Sequence, residues 1–397
     1  MQWCSLLSTH AEVEQALDEI ITGLQAALPQ GIDLLLCFVT PDLAAAEPQL
    51  GERLKTLSGA RQLLGCSAGG VIGGGVEHEY GPALAVTAAS LPGVELSLFH
   101  VAAGAVPDLQ AAPRQWARLA GVLPATDAHF LLLADPFTVD GERLVRGLDA
   151  AFPAAVKLGG LASGGASAGE HRLYMNRRVF RGGVVGVALA GDIRFDAVVA
   201  QGCRPVGEPL FVTQGDGNVI TELDGAPPLE AMEKLFLQSS AEDQALMKHS
   251  LFLGVVMEPG RDRYGQGDFL IRNIIGLDPD SGHMAVAAML PDNAVVQFHL
   301  RDAATSRADL EQMLAREREA AAQQPPAGAL LFSCTGRGSD LYGDPGHDSA
   351  LLREHLGPVP VGGFFCNGEI GPVRGETFLH GYTSAIALLR PRGTSGS

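Results

Sequence analysis

Leu158-Gly159-Gly160-Leu161-Ala162-Ser163-Gly164-Gly165 decides the fold, because the chain writes the same arrangement two further times. This turn closes a block that opens on the apolar run Phe130-Leu131-Leu132-Leu133-Ala134-Asp135 and passes through a GERL helix at Gly141–Leu144. An earlier block runs from Leu34-Leu35-Leu36-Cys37-Phe38-Val39 through a second GERL at Gly51–Leu54. It ends in Leu64-Gly65-Cys66-Ser67-Ala68-Gly69-Gly70-Val71-Ile72. A third begins at Ala329-Leu330-Leu331-Phe332-Ser333-Cys334, has a helix around 350–356, and reaches Val361-Gly362-Gly363-Phe364-Phe365-Cys366-Asn367-Gly368-Glu369-Ile370. Strand start and first glycine are 31, 29 and 33 residues apart. Near-constant spacing with unlike filler predicts three duplicated strand–helix–glycine-turn–strand units, with function at the turns.

Outward from these blocks, the pattern predicts an opening helix over Thr9–Leu28, with Ala16, Leu17, Ile20, Ile21 and Leu24 on one face. Residues 82–91 and 94–101 read as a hairpin around Pro92-Gly93. Further strands are expected at 184–189 and 195–201, and a hairpin around Gly215-Asp216-Gly217. Beyond these come a helix at 228–237, strands at 251–257, 269–275, 284–289 and 294–300, and a charged helix from Ser306 to about Ala322. Strands outnumber helices and many pair as neighbours. The reading is therefore α/β in the α+β sense: two lobes of mixed β-sheets flanked by outer helices. The expected division is 1–203 and 204–390, with 391–397 a disordered tail.

Composition narrows the function classes. The chain has 397 residues, 46% hydrophobic, with Lys+Arg 28 against Asp+Glu 45 and a formal charge of −17. That length exceeds one ordinary core. An acidic chain with no evident basic stripe is expected to bind neither nucleic acid nor anionic membrane, both of which need a cationic field. No apolar run approaches the ~18 residues of a membrane span, and Met1–Leu7 lacks the basic start of a secretory signal. Six cysteines without CxxC or zinc spacing read as reduced thiols of a cytoplasmic protein.

Three stretches carry a family resemblance. They are Phe332-Ser333-Cys334-Thr335-Gly336-Arg337-Gly338, then Gly362 to Pro372, then Phe378-Leu379-His380-Gly381-Tyr382-Thr383. Together they resemble the C-terminal part of FIST proteins. Gly65-Cys66-Ser67 and Gly202-Cys203-Arg204-Pro205-Val206-Gly207 resemble that family's N-terminal half and its junction. The resemblance implies a sensor of small ligands, amino acids among them, with haem a further candidate. It also implies a place beside signalling modules. This chain carries no kinase, cyclase or receptor module, so its output is expected to pass through a separate protein partner.

The candidate ligand-binding residues follow from the turns. Gly65, Cys66, Ser67 and Gly69 form the first set, and Gly160, Ser163 and Gly164 the second. Gly363, Cys366, Asn367, Glu369 and His380, with the loop residue Arg337, form the third. Glycine turns expose backbone N–H groups suited to a carboxylate; the plain alternative is tight turning between packed strands. Arg337 could clamp a carboxylate at two points, and Glu369 could hold an amino group, so the pair would suit a zwitterion.

The competing chemistries are an acyl-transfer or hydrolase-type enzyme and a haem-binding gas sensor. Gly65-Cys66-Ser67-Ala68-Gly69 fits the G-x-S-x-G of a nucleophile elbow, but Gly69, Gly70 and Gly73–Gly75 make a poor helix start where that elbow needs one. The same lack argues against a dinucleotide loop. A nucleophilic Cys66 or Cys366 would need a lowered pKa and a neighbouring cation, with His78, His380 and Arg337 the candidates. Axial haem ligands would come from His10, His78, His100, His171, His249 or His299. No zinc pair is present, no metal site is expected, and Asp340, Asp344 and Asp348 read as a solvated loop.

Overall fold

The computed structural model describes residues 1–123, 126–290 and 293–393. The first copy of the unit comprises β1 (Gln2–Ser8), α1 (Val13–Ala27), β2 (Leu34–Val39), α2 (Pro41–Ala46), α3 (Leu50–Ser58) and β3 (Gln62–Ser67). A short hairpin, β4 (Val71–Gly73) and β5 (Val76–His78), and the long β6 (Leu84–Ser90) complete it. The second copy repeats the order as β7 (Val94–Val101), α4 (Pro113–Ala120), β8 (Ala128–Ala134), α5 (Gly141–Ala151) and β9 (Lys157–Leu161). Its hairpin is β10 (Leu173–Met175) and β11 (Arg178–Phe180), and it closes with β12 (Val184–Gly191).

The third copy opens with β13 (Arg194–Gln201) and is then interrupted. The insertion contains β14 (Cys203–Asp216), β15 (Val219–Leu223), α6 (Pro228–Gln238), α7 (Ala241–Ser250), β16 (Leu251–Val256), β17 (Phe269–Leu277), β18 (Met284–Val286) and β19 (Val295–Arg301). The copy resumes with α8 (Ala303–Gln323), β20 (Gly328–Cys334), α9 (Ser339–Tyr342), α10 (His347–Leu356) and β21 (Val361–Cys366). A hairpin of β22 (Glu369–Val373) and β23 (Glu376–His380), then β24 (Thr383–Arg390), ends it.

The three copies build three mixed sheets that exchange hairpins in a cycle. Their strand orders are β1-β6-β2-β3-β10-β11, β7-β12-β8-β9-β22-β23 and β13-β24-β20-β21-β4-β5. Each sheet thus takes four strands from its own copy and a closing hairpin from another: the first from the second, the second from the third, the third from the first. The strands flanking each crossover run parallel, β2 with β3, β8 with β9 and β20 with β21. Every residue of β2, β8 and β20 is buried, as the unbroken apolar runs require of strands covered on both faces.

One core cluster joins the inner faces of all three sheets, with Leu36, Phe38, Leu131, Leu133, Leu330, Phe332 and Phe364 among its members. Phe364 stacks on Phe38 at 4.8 Å and meets Phe332 edge-on at 5.7 Å. Separate clusters lie under α1 and α3 and under α4 and α5. Polar clamps hold the exchanged hairpins. Thr377 of β23 donates N–H and hydroxyl to Asp149 of α5, which also pairs with buried Lys157. Ser349 of α10 donates both to Glu77 of β5. Asn176, in the turn of β10–β11, accepts from Leu63 N and donates to Gln62.

Two expectations need correction. The Pro92-Gly93 turn does not make a hairpin: β6 lies in the first sheet and β7 in the second, so this turn is the passage between copies. The tail is not loose at its start, because Arg392 donates N–H to Asp192 and Nε–H to Ile193 O and pairs with Asp127. Residues 394–397 lie outside the described residues.

The compact units are residues 1–199 with 311–397, and residues 200–310. They cut across the expected halves 1–203 and 204–390, because β20 to β24 pack with the first two copies. The second unit is a closed barrel of β14-β15-β18-β17-β16-β19 around its own cluster of Ile220, Leu253, Val296, Phe298 and Leu300. Helix α7 was not anticipated. It is weakly amphipathic, and only its ends mark it: Ser240 caps the N-terminus, Glu242 and Asp243 occupy the first turn, and Lys248 and His249 the last. Among the described residues no helix is long and apolar enough to cross a membrane.

Candidate functional site

Gly65, Gly159 and Gly363 hold one structural position in the three copies. Each pairs with the neighbouring parallel strand, at Cys37, Leu132 and Leu331. On the other side each meets an exchanged hairpin, at Tyr174, Ile370 and Ile72. A Cβ there would lie 2.1 Å from Cys37 O, 1.9 Å from Leu132 O and 1.9 Å from Leu331 O. Glycine is therefore imposed by close backbone approach.

Past this position the three turns bond to one another. Ser163 N donates to Ser67 O, Asn367 N to Leu161 O, Leu161 N to Gly368 O and Phe365 N to Gly70 O. The fully buried Ser163 hydroxyl accepts from Gly69 N at 2.8 Å and donates to Phe365 O, so one side chain links all three copies. Gly160 is filled in the same way, since a Cβ there would lie 2.3 Å from Cys366 Sγ. These amides serve the junction of the copies, not an open nest.

Beside that junction lies a cleft of about 290 Å³. Pro41, Ala44 and Ala45 of α2 form its apolar side; Ser67, the loop 164–172 and Arg181 form the rest. Ser67 and Gly164 are the predicted residues that reach it. Arg172 docks the loop on β3: its N–H donates to Ser67 Oγ at 3.0 Å, and its carbonyl accepts from Ser67 N at 2.8 Å. Arg172 Nη1 donates to Glu170 O at 2.8 Å, and Arg181 Nη1 to Gly169 O at 3.1 Å. The Glu170 carboxylate accepts from Ala166 N, Ser167 N and Ser167 Oγ. These bonds, Ala166 N–H foremost, hold it below the ordinary carboxylate range.

Behind the loop, His171 is buried, with Nδ1 2.8 Å from Asp135 Oδ1. Its Nε2 accepts from Gly165 N at 3.2 Å, which places the proton on Nδ1. Thr138 Oγ1 also donates to Asp135, and Phe137 stacks on the imidazole at 5.7 Å. Ser67, Asp135 and His171 follow one another as in a hydrolase triad. Both imidazole nitrogens are already bonded, however, so Ser67 has no base.

The predicted zwitterion clamp takes another form. Arg337 is completely buried, not presented on a loop, and its fork closes on Asp348 through Nε at 2.8 Å and Nη2 at 3.1 Å. Burial alone would raise the Asp348 carboxyl, but Arg337 and His347 hold it below the carboxylate range. Asp348 is thus an internal ion-pair partner and no part of a solvated ladder. Nearby Glu77 is pushed up to about 7, by burial first and by the Asp348 charge second. Glu369 is buried and accepts from Thr383 N, and His380 Nε2 lies 3.0 Å from Gly371 O. Cys366 and Cys66 are buried in the shared core, where burial, with neighbouring charge adding, pushes both thiols well above their ordinary value. Thiolate chemistry is disfavoured there.

Among the described residues no group of three or more His, Cys, Asp or Glu side chains is placed to hold a metal ion. Haem does not fit either described cleft. Neither this one nor a second, apolar cleft at the end of α1 is lined by a His, Cys, Met or Tyr that could serve as axial ligand. Sequence reasoning missed Glu170, Arg172 and Arg181. The available signal was charge density, since 172–181 carries four arginines in ten residues, a basic cluster that corrects the reading of a chain without one.

The FIST N domain family matches residues 33–226 and the FIST C domain family residues 228–372. The chain belongs to the FIST family. It is 39% identical over 373 residues to an uncharacterized protein of Mycobacterium tuberculosis, covering 93% of this chain and 90% of the relative. It is also 39% identical over 331 residues to an uncharacterized protein of Mycobacterium bovis, covering 82% of each. A crystal structure of a cyanuric acid hydrolase from A. caulinodans aligns over 99% of this chain and 100% of its own, with 11% identity and a TM-score of 0.33.

Proposed function

We propose that this protein is an intracellular small-ligand-binding sensory protein. Its ligand, an amino acid or small carboxylate, enters the cleft beside Ser67 and Gly164, and its signal passes to a separate protein partner. The family is one associated with sensing small ligands. The observation that carries the reading is that the cleft opens where the first two copies meet, with Ser67 and Gly164 on its wall. The loop 164–172 hangs on a hairpin exchanged between copies, so ligand contacts there would act on the pairing of β10 with β3. Binding that favours one arrangement of that pairing would change the surface offered to a partner.

The test is thermal unfolding against a panel of amino acids, small carboxylates and haemin. A ligand at about 100 times its Kd adds roughly 2.7 kcal/mol, a rise of about 3 °C for a chain of this size. A selective rise with one chemical class supports the reading. No rise across the panel, or one with haemin alone, overturns it.

A further inference from the structure

We propose that the cleft at Ser67 is built for a small dianion, a dicarboxylate or a phosphoryl group, held by Arg172 and Arg181. This rests on the ligand reading above and narrows it, because guanidinium groups outnumber carboxylates on these walls.

Several arginines of this chain are partnered by carboxylates. Arg53 pairs with Glu14 and Glu47, Arg204 with Asp243 and Asp302, and Arg337 with Asp348. Arg172 and Arg181 have backbone partners instead, as Arg353 has at Gly75 O. Their guanidinium bonds go to the carbonyls of Glu170, His171 and Gly169, and among the described residues neither has a carboxylate partner. A carbonyl orients a guanidinium without cancelling its charge, which leaves two positive groups fixed at one cleft. Planar forks of this kind are suited to oxyanions.

The acid on the cleft wall does not reverse this. Glu170 already accepts from two backbone amides and the Ser167 hydroxyl. These bonds orient the carboxylate and leave its charge in place, so the wall carries two guanidinium groups against one carboxylate. Ser67 adds a donor: its oxygen accepts from Arg172 N, and its own proton remains for an oxyanion. The side formed by Pro41, Ala44 and Ala45 is short and apolar, and about 290 Å³ is small for a ligand site. It fits a body of a few carbons between charged ends, or a compact phosphoryl group.

Titration calorimetry on the full chain tests this with succinate, inorganic phosphate and alanine as probes, at low and at physiological salt. Succinate, phosphate or both bind, and binding weakens as salt rises. Arg172→Gln and Arg181→Gln each weaken it at least tenfold, about 1.4 kcal/mol, while alanine gives no heat at the same concentration. Arg181 is exposed, so its variant keeps the fold even if Arg172→Gln disturbs the loop; thermal melts of both variants establish that. Alanine binding as tightly as the dianions overturns the inference and leaves the sensory reading standing. Dianion binding that survives both substitutions, or no dianion binding at millimolar concentration, overturns it as well. If every amino acid and carboxylate of the wider panel is also silent, the ligand reading falls with it.

Discussion

At Gly159 and Gly363 the backbone takes φ of 149° and 150°, and any Cβ would strike a carbonyl oxygen of the adjoining strand. The obstacle is main chain in the middle of a sheet, so it cannot rotate away. Gly363→Ala is expected to lose about 3 kcal/mol or more in chemical denaturation. Gly375→Ala, at φ 90° with nothing within 4 Å, is expected to lose about 1 kcal/mol. Equal losses would show that conformation alone sets the cost. Ser163→Ala removes the hydroxyl between Gly69 N and Phe365 O and leaves both buried groups short of a partner, an expected loss of about 1–3 kcal/mol in the same measurement. At this scale the turn glycines were visible in the sequence because their spacing recurs. Their neighbours were not: Ser163 bonds to Gly69 and Phe365, far from it along the chain, and Arg337 meets Asp348 only once α10 has packed.

Elements show where pattern reading works and where it stops. Helix α5 is capped by Asp140 and amphipathic, and its GERL start is where the sequence places it. The weakly patterned α7 escaped. The Pro92-Gly93 turn misled because local turn chemistry reports a reversal and not which strand is met afterwards. Within β19, His299 stacks edge-on with Phe269 at 4.6 Å, and burial brings its imidazole down to about 4. His129 of β8 behaves likewise, also at about 4, again through burial first. Each ordinarily titrates near 6.5, so the unfolded chain takes up the proton first. The stability these histidines contribute is complete above pH 6.5 and is lost as pH falls toward 4. Glu77, raised to about 7, acts in the opposite sense, contributing stability below its ordinary range that disappears as pH rises through 7. Denaturant titrations of wild type and His299→Gln between pH 7.5 and 4 are expected to converge at low pH. The variant should lack on the order of 2–3 kcal/mol of acid sensitivity; parallel curves would rule out a buried neutral His299.

For the whole molecule, the cyclic exchange of hairpins makes the three copies interdependent. A chain ending at residue 203 keeps β4 and β5 but lacks β20 to β24, so the third sheet cannot form and the core around Phe38 and Phe364 stays open. Such a chain is expected to bind a hydrophobic dye and to unfold without a cooperative transition. Residues 200–310, whose barrel closes on itself around Leu253 and Phe298, are expected to melt cooperatively on their own. Cooperative unfolding of residues 1–203 would show that the copies do not need one another. The sequence by itself determined three repeated units, the class of most strands and helices, the family, and the positions where only glycine serves. These follow from local periodicity, composition and recurrence. The tertiary structure alone decided which hairpin completes which sheet, the insertion of a barrel into the third copy, and the placing of Arg172 and Arg181 on a cleft while Arg337 is sealed inside. Those outcomes depend on contacts between residues distant along the chain. Their energies come from shared burial and from the presence or absence of a carboxylate partner, and no short stretch of sequence encodes either.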